Sequence, residues 1–584
     1  MAMASLRKSD IIYISFVLLT ASLLLAFAIF FLQFNYDALI SWTVLVFHKN
    51  GLESFLRGQA FPFQKFRLVQ KFCYAMLILI PIGVFIMLNF KNKIGGWLRF
   101  AVQSISRNLR SLMTVFQSNS KTENRILAIV MILITGRSLF YIIYWDLQYD
   151  EMWSYNYFTA QPFYYTFFMY NNYPLYELST ALFKGLPFAM KINLRLPSLL
   201  SGLATCLILY GCLKAYFRNT FSAFAGLFGF AFFPIVNCYM LYGRGVMTEI
   251  LFACISFFSI LFWIRDPERN DRLVIFFLAT IVGFYAMPTH IYYWFLLIVL
   301  TTITIPDKKQ LINFWYANAA AAVGCALCYL PMALGSGFHF ITHVIKERDS
   351  VGNILHYLPI DIGRVSVFLL GNPYGIYFIL AIVIFLVVTL KNKMPVRFPV
   401  WFIPGLLVLP FISLLVQRFY IPPRAFGYIS LILPILAAVL FYEFSNRISK
   451  NARAGIIVCL GIAGLLISHF HNSINWSKIS DRKAKEVSEI LLENKVVSCY
   501  DNSRESAFPY NYPAVEYYYR LEHKNILFTL NATNSIRYKP FEFSNHYDCI
   551  IAGMDKPAPE ILNKYRLVYR DAVGRFQIFV LKRV

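Results

Sequence analysis

Apolar stretches recur along most of the chain, at roughly 11–33, 72–90, 126–145, 198–213, 219–236, 247–264, 273–288, 289–305, 311–333, 365–390, 398–416, 425–442 and 455–470. Most approach the length of about 20 residues at which a helix crosses a bilayer. The 13 runs predict an all-α polytopic body, with 11 to 14 spans as the range because several runs are short or closely spaced. The first run exceeds the core of a typical secretory leader and no small-residue cleavage pattern follows it, so it reads as a retained span. Residues 91–125 break the apolar pattern. Lys91, Lys93, Arg99, Arg107 and Arg110 alternate with Trp97, Leu98 and Phe100, which predicts an amphipathic segment on the inner membrane face. From about 471 onward the pattern is that of a soluble α/β unit. DRKAKEVSEILLENK (481–495) has helical spacing, and KVVSCYD, KNILFTL, HYDCIIAG and FQIFVLKRV are short β-rich runs. The predicted divisions are therefore 1–125, two N-terminal spans plus a basic linker, 126–470, the main membrane body, and 471–584, the α/β tail.

Composition agrees. Of 584 residues 58% are hydrophobic and 14% charged, where a soluble domain carries about 25% charge. An ordinary soluble enzyme and a disordered chain are excluded, and ten cysteines are too few for a disulfide scaffold of this length. The net charge of +24 is uneven, with 37 basic and 17 acidic residues up to 470 against 17 and 13 beyond. The basic excess sits in short loops, where it sets topology rather than marking a nucleic-acid surface. With the N-terminus cytoplasmic, inward loops hold 22 lysines and arginines and the longer outward loops 14, which puts the tail outside the cytoplasm. Cys499 and Cys549 fall in two of the tail's strand-like runs, either as buried thiols or, in an oxidising compartment, as a disulfide. Asn475 and Asn531 open glycosylation sequons too common to decide anything.

Acids are scarce enough to sort. None lies in the middle of an apolar run, which argues against an ion-coupled carrier. The outward acids include Asp146, Asp150, Glu151, Glu177, Glu249, Glu347 and Asp349. Asp150 and Glu151 follow a span by about five residues and open a long loop, 146–197, dense in tyrosine and phenylalanine. A carboxylate half-desolvated there can take a proton from a hydroxyl acceptor, and it can equally be a solvated pair facing water. His339 and His343 have the i, i+4 spacing of a metal pair but no acid nearby to complete it. Arg137 lies inside a span, as packing glue or reaching the outer face.

The order Asp150-Glu151, Asn172-Tyr173-Pro174-Leu175-Tyr176, Arg195-Leu196-Pro197-Ser198, Tyr242-Gly243-Arg244 and Arg424-Ala425-Phe426-Gly427-Tyr428 resembles the GT-C glycosyltransferases. The nearest resemblance is to protein O-mannosyltransferases and the lipid A aminoarabinose transferases. It covers roughly 126–470. Where the aminoarabinose transferases carry a lysine before Pro-Pro-Leu, this chain has Asn171-Asn172-Tyr173. The resemblance implies an inverting transferase that moves a monosaccharide from a polyprenyl-phosphate donor to an extracytoplasmic glycolipid, polysaccharide or protein. It implies a bacterial inner-membrane location with the C-terminal unit extracytoplasmic. Asp150 would be the base and Glu151 would orient it. Arg244, Arg424, Arg195 and His290 would hold the donor phosphate, since a planar guanidinium bonds two oxygens at once. Arg418 reads as an interface arginine. No motif requires a cofactor, and a divalent metal is neither required nor ruled out. Two other readings stay open: a non-catalytic lipid or polysaccharide transporter, and an O-antigen polymerase or ligase.

Overall fold

The computed structural model describes residues 8–47, 53, 56–57, 63–89, 91–145, 147–161, 165–168, 173–336, 350–370, 373–377, 379–380, 383–384, 402–417, 423–445, 449, 456, 464, 482–502, 512–522, 524–530, 547–553, 559–570 and 576–582. Asp146, Asn171, Asn172, His339, His343, Glu347, Asp349, Arg418, Asn475 and Asn531 lie outside the described residues.

The apolar runs become helices, and their breaks follow local chemistry. Helix α1 (Lys8–Leu32) turns by 108° into α2 (Tyr36–Phe47), and α3 (Phe63–Asn89) packs back on α1 around Ala28, Phe31, Phe66 and Cys73. The basic stretch is one unbroken 27-residue helix, α4 (Lys91–Gln117). Helix α5 (Lys121–Tyr144) begins at a capping box, in which Ser120 Oγ accepts the Glu123 N–H at 3.1 Å and Glu123 Oε2 accepts the Ser120 N–H at 3.0 Å. The long aromatic loop holds α6 (Tyr149–Ser154), a π-helical turn at Tyr155–Thr159, and α7 (Pro174–Phe183). Next come α8 (Met190–Phe217), α9 (Thr220–Ala231) and α10 (Pro234–Leu241). The run expected as one span at 219–236 is instead the pair α9 and α10, bent by 63° where Pro234 opens the second helix. Proline lacks an N–H and fits the first helical turn, so it starts a new helix there.

Helices α11 (Val246–Arg265), α12 (Asp271–Ala286), α13 (His290–Thr304), α14 (Lys308–Ser336), α15 (Val351–Leu370) and α16 (Phe402–Gln417) follow. A 3₁₀-helix (Pro423–Leu431) then leads into α17 (Ile432–Ser445). Five helices among the described residues are long and apolar enough to cross a membrane, or seven if each bent pair is one span. The runs at 365–390, 398–416 and 455–470 extend beyond the described residues. One buried apolar cluster runs from Leu127 of α5 to Val439 of α17. Outward faces stay apolar as well, with Ile132, Phe85 and Ile303 all more than two-thirds exposed. Backbone groups satisfied within helices, plus apolar outer faces, suit hydrocarbon as solvent. The chain is an integral membrane protein.

The tail contains α18 (Arg482–Glu493), β1 (Ser498–Asn502), α19 (Tyr512–Leu521), β2 (Leu527–Leu530), β3 (Cys549–Gly553), α20 (Pro559–Lys564), β4 (Tyr565–Arg570) and β5 (Phe576–Leu581). The sheet order is β2-β1-β3-β5-β4, with β1 parallel to β2 and β3, and β5 antiparallel to β3 and β4. Cys499 and Cys549 are register partners on β1 and β3, both buried, with the Cys499 Sγ hydrogen-bonded to the Cys549 Sγ at 2.9 Å. Helix α19 rests on the aromatic loop. Tyr517 packs with Leu147, Met152 and Leu194, and its ring meets that of Tyr155 edge-on at 5.3 Å.

Candidate active site

The neighbouring carboxylates Asp150 and Glu151 share one helical turn and have opposite surroundings. Glu151 is fully buried. Its Oε1 accepts Arg195 Nε at 2.8 Å and the Gly243 N–H at 2.6 Å. Its Oε2 accepts Arg195 Nη2 and the Gln148 N–H, both at 2.7 Å. A carboxylate has about four acceptor positions, and all are taken. Arg195, equally buried, also donates from Nη1 to the carbonyls of Trp145 at 2.8 Å and Ile142 at 3.3 Å. The pair is thus a clasp joining the end of α5, α6, the first turns of α8 and the α10–α11 turn. Arg195 was expected at the donor phosphate. Its donors are spent within the protein and its guanidinium has no exposed surface, so the structure gives it a different place.

Gly243 makes the clasp possible. A Cβ there would sit 2.5 Å from Tyr176 Oη and 2.9 Å from Glu151 Oε1. Only glycine lets the backbone come close enough to donate to Glu151. Tyr176 itself donates to the Leu194 carbonyl at 2.9 Å.

Asp150 stands beside this clasp with its side chain 39% exposed. Its Oδ2 accepts the Tyr242 hydroxyl at 3.0 Å and is ion-paired with Arg244 Nη2. No hydrogen bond to Oδ1 is formed among the described residues. Arg244 lies under the rings of Tyr173 and Tyr242, each with its centroid 5.3 Å from the guanidinium carbon. Its backbone is fixed by Ser198, whose hydroxyl donates to the Arg244 carbonyl at 2.9 Å. The buried Arg244 Nε–H has no acceptor among the described residues. So the Asp-Glu, Tyr-Pro-Leu-Tyr, Arg-Leu-Pro-Ser and Tyr-Gly-Arg elements, scattered over about a hundred residues, meet at one place.

The other expected residues are reached through the first turn of α11, which carries Val246 and Glu249. Gly427 packs on Val246, where an added Cβ would be at 3.3 Å, so the stretch from Arg424 borders the first turn of α11. The backbone puts Arg424 on the 3₁₀-helix. His290, expected at the phosphate, is fully buried at the start of α13, its Nδ1 3.0 Å from Glu249 Oε1. Its Nε2 has no partner among the described residues. The ring occupies the space left by the missing side chain of Gly283, where a Cβ would lie 2.7 Å from it.

Two acids have roles that sequence reasoning missed. Glu249 reads as an outward loop acid and is instead the buried partner of His290. Glu177 reads likewise and is buried on the first turn of α7, close to Thr159. Burial pushes its carboxyl up to about 8, against the opposing pull of Ser154, Thr159 and the charge of Arg244. Nothing local in the sequence marks either. Among the described residues no three histidines, cysteines or acids gather as a metal cluster would.

No family model matches the chain, and no curated protein matches it. Solved structures do. ArnT from Cupriavidus metallidurans bound to undecaprenyl phosphate aligns over 79% of this chain and 98% of its own, at 13% identity and a TM-score of 0.52. The same enzyme in the apo state gives 78%, 97%, 13% and 0.50. An oligosaccharyltransferase from Archaeoglobus fulgidus aligns over 77% of this chain at 10% identity and a TM-score of 0.47. At 13% identity the likeness to ArnT is one of fold: over 98% of the length of ArnT this chain has the GT-C fold.

Proposed function

We propose that the chain is an inverting glycosyltransferase that moves a monosaccharide from a polyprenyl-phosphate donor to a hydroxyl acceptor on the extracytoplasmic side. The observation that carries the reading is the pairing at Asp150. One oxygen is tied to Tyr242 and Arg244, the other accepts no hydrogen bond among the described residues, and the side chain is 39% exposed. Oδ1 takes the acceptor proton as the acceptor oxygen bonds to the anomeric carbon. The anomeric carbon–oxygen bond breaks with its electron pair going to the leaving polyprenyl phosphate. The cation beside the base is Arg244, partly held by Tyr173 and Tyr242, and it meets the charge that grows on the departing phosphate. Arg424, on the 3₁₀-helix, and His290, bonded to Glu249 at the start of α11, are the further candidates for phosphate contact. Glu151 and Arg195 hold the helix that carries Asp150, so their part is positioning.

Membrane residence suits a lipid-borne donor, and the ArnT structure of the same fold is bound to undecaprenyl phosphate. The arginine and lysine bias puts Asp150 and the tail outside the cytoplasm. In this reading α19 of the tail, packed on the aromatic loop, covers one side of the acceptor approach. The test is Asp150→Asn in purified chain, assayed for transfer of labelled sugar from a polyprenyl-phosphate donor to membrane extract. Asparagine keeps the shape without accepting the proton, so transfer should fall by roughly 10²–10⁴-fold. Full activity in a folded Asp150→Asn variant would remove the base from this position and the mechanism with it.

A further inference from the structure

At the other end of the same helices is a cavity of about 620 Å³. Helix α8 runs from the Arg195 clasp to Arg218, 23 residues on, which at 1.5 Å per residue is about 35 Å. The cavity is therefore at the opposite membrane face from Asp150. Its walls come from α4, α8, α11 and α12, and Leu109, Ile208, Phe258 and Leu278 are among the side chains that line it. The volume falls in the range of roughly 300–1,000 Å³ typical of ligand sites.

The cavity exists because α4 is docked rather than free on the membrane. Leu112 presses on Gly211 of α8, where a Cβ would be 2.4 Å from its methyl. Phe116 stacks on Tyr210 with centroids 6.0 Å apart, Trp97 meets Phe277 edge-on at 5.9 Å, and Asn108 donates to Asp271 at 3.0 Å. Between these contact points the helices stay apart and leave an apolar trough.

The mouth is basic. Arg218, Arg265, Arg269 and Arg272 line it with Asp266. Arg269 is spent on Asp271, bonded at 3.0 and 2.8 Å. Arg272 sits 3.7 Å from Asp266, and Arg265 donates to the Tyr216 carbonyl at 3.2 Å. Arg218, the C-cap of α8 with φ of 52°, is exposed, and its side chain makes no hydrogen bond or ion pair among the described residues. Four arginines thus face two aspartates around an apolar trough, in a membrane protein. The matching ligand has one anionic head and one long hydrocarbon tail.

We propose that this cavity binds one anionic phospholipid of the leaflet opposite Asp150, with an acyl chain in the trough and the headgroup phosphate on Arg218, flanked by Arg265 and Arg272. Neither the fold likeness nor the transfer reaction asks for such a site, and the proposal stands without them. A bound lipid would tie α4 to the membrane body.

Native mass spectrometry of the purified full chain, incubated with dioleoyl phosphatidylglycerol or dioleoyl phosphatidylcholine, tests it. One phosphatidylglycerol should be retained in preference to phosphatidylcholine. Arg218→Asn, which suits the left-handed backbone there, should weaken that retention by roughly tenfold through loss of a charge-assisted bond. Leu278→Trp, filling the trough, should reduce retention of both lipids. Glycerol phosphate, which has the head and no tail, should not displace the lipid. Equal retention of the two lipids, unchanged retention in folded Arg218→Asn, or displacement by glycerol phosphate would each overturn the proposal.

Discussion

Replacing Glu151 by glutamine separates its part from that of Asp150. Glutamine keeps the shape but turns one oxygen into an NH₂ group. Glu151 receives four donors, two from Arg195 and two from backbone N–H groups of Gln148 and Gly243. With one acceptor lost, at least one buried N–H faces another donor. The Arg195 charge is left uncompensated at zero exposure. Removing one partner of a buried ion pair costs about 3–5 kcal/mol. Glu151→Gln should lower stability by that amount, whereas Asp150→Asn should cost less, because the Asp150 side chain is 39% exposed and Arg244 keeps the faces of the Tyr173 and Tyr242 rings. Combining Glu151→Gln with Arg195→Gln should cost less than the sum of the singles, because the double variant leaves no bare charge. The assay is unfolding of purified chain in mixed micelles with increasing denaturing detergent, followed by far-ultraviolet circular dichroism, alongside transfer activity. If Glu151→Gln is as stable as the parent while Asp150→Asn unfolds readily, the assignment of clasp and base is reversed.

Three further outcomes follow from the same geometry. Arg244→Ala should weaken transfer by about 1.5–3 kcal/mol in transition-state terms, with lysine restoring only part because it cannot fork; normal transfer in both would place the donor phosphate elsewhere. Glu177 is protonated in the fold up to about pH 8, against an ordinary value of 4.5, so the folded state holds a proton that the unfolded chain gives up. Stability is therefore full below about pH 4.5 and falls as pH rises through 8, at up to about 1.4 kcal/mol per pH unit. Glu177→Gln should flatten that dependence in thermal melts at pH 5, 7 and 9, and identical profiles would refute the burial argument. Gly243→Ala should destabilise by about 1–3 kcal/mol through overpacking against Tyr176 and Glu151, read as a lowered melting midpoint; a neutral effect would contradict the close approach.

Much of the architecture was legible along the chain because one-dimensional signals suffice for it. Long apolar runs demand a bilayer, and they reappear as α1, α3, α5, α8, α11 and α14. The alternating strand-like runs of the tail reappear in β1, β2, β3 and β5. The charge pattern at 91–125 marked an amphipathic segment, and α4 covers 91–117 of it as one helix. Asp150 and Glu151 were also visible, as a pair. Which of the two is open and which is locked was not, since both follow the same span and share one loop. That was decided by Arg195 and Gly243, 44 and 92 residues away, which supply three of the four donors to Glu151, while Asp150 pairs through Oδ2 with Tyr242 and Arg244. The same holds for Glu249 with His290, and for Glu177. Burial and pairing are sums over neighbours brought close by packing, and no local pattern encodes them. The bend at Pro234 had a local sign in the proline, yet its 63° was set by the packing around it. Hydrophobic length, charge bias and helix capping are properties of a segment, and the sequence determines them alone. Desolvation, ion pairing and the cavity under α4 belong to the distances between segments, which only the tertiary structure decides.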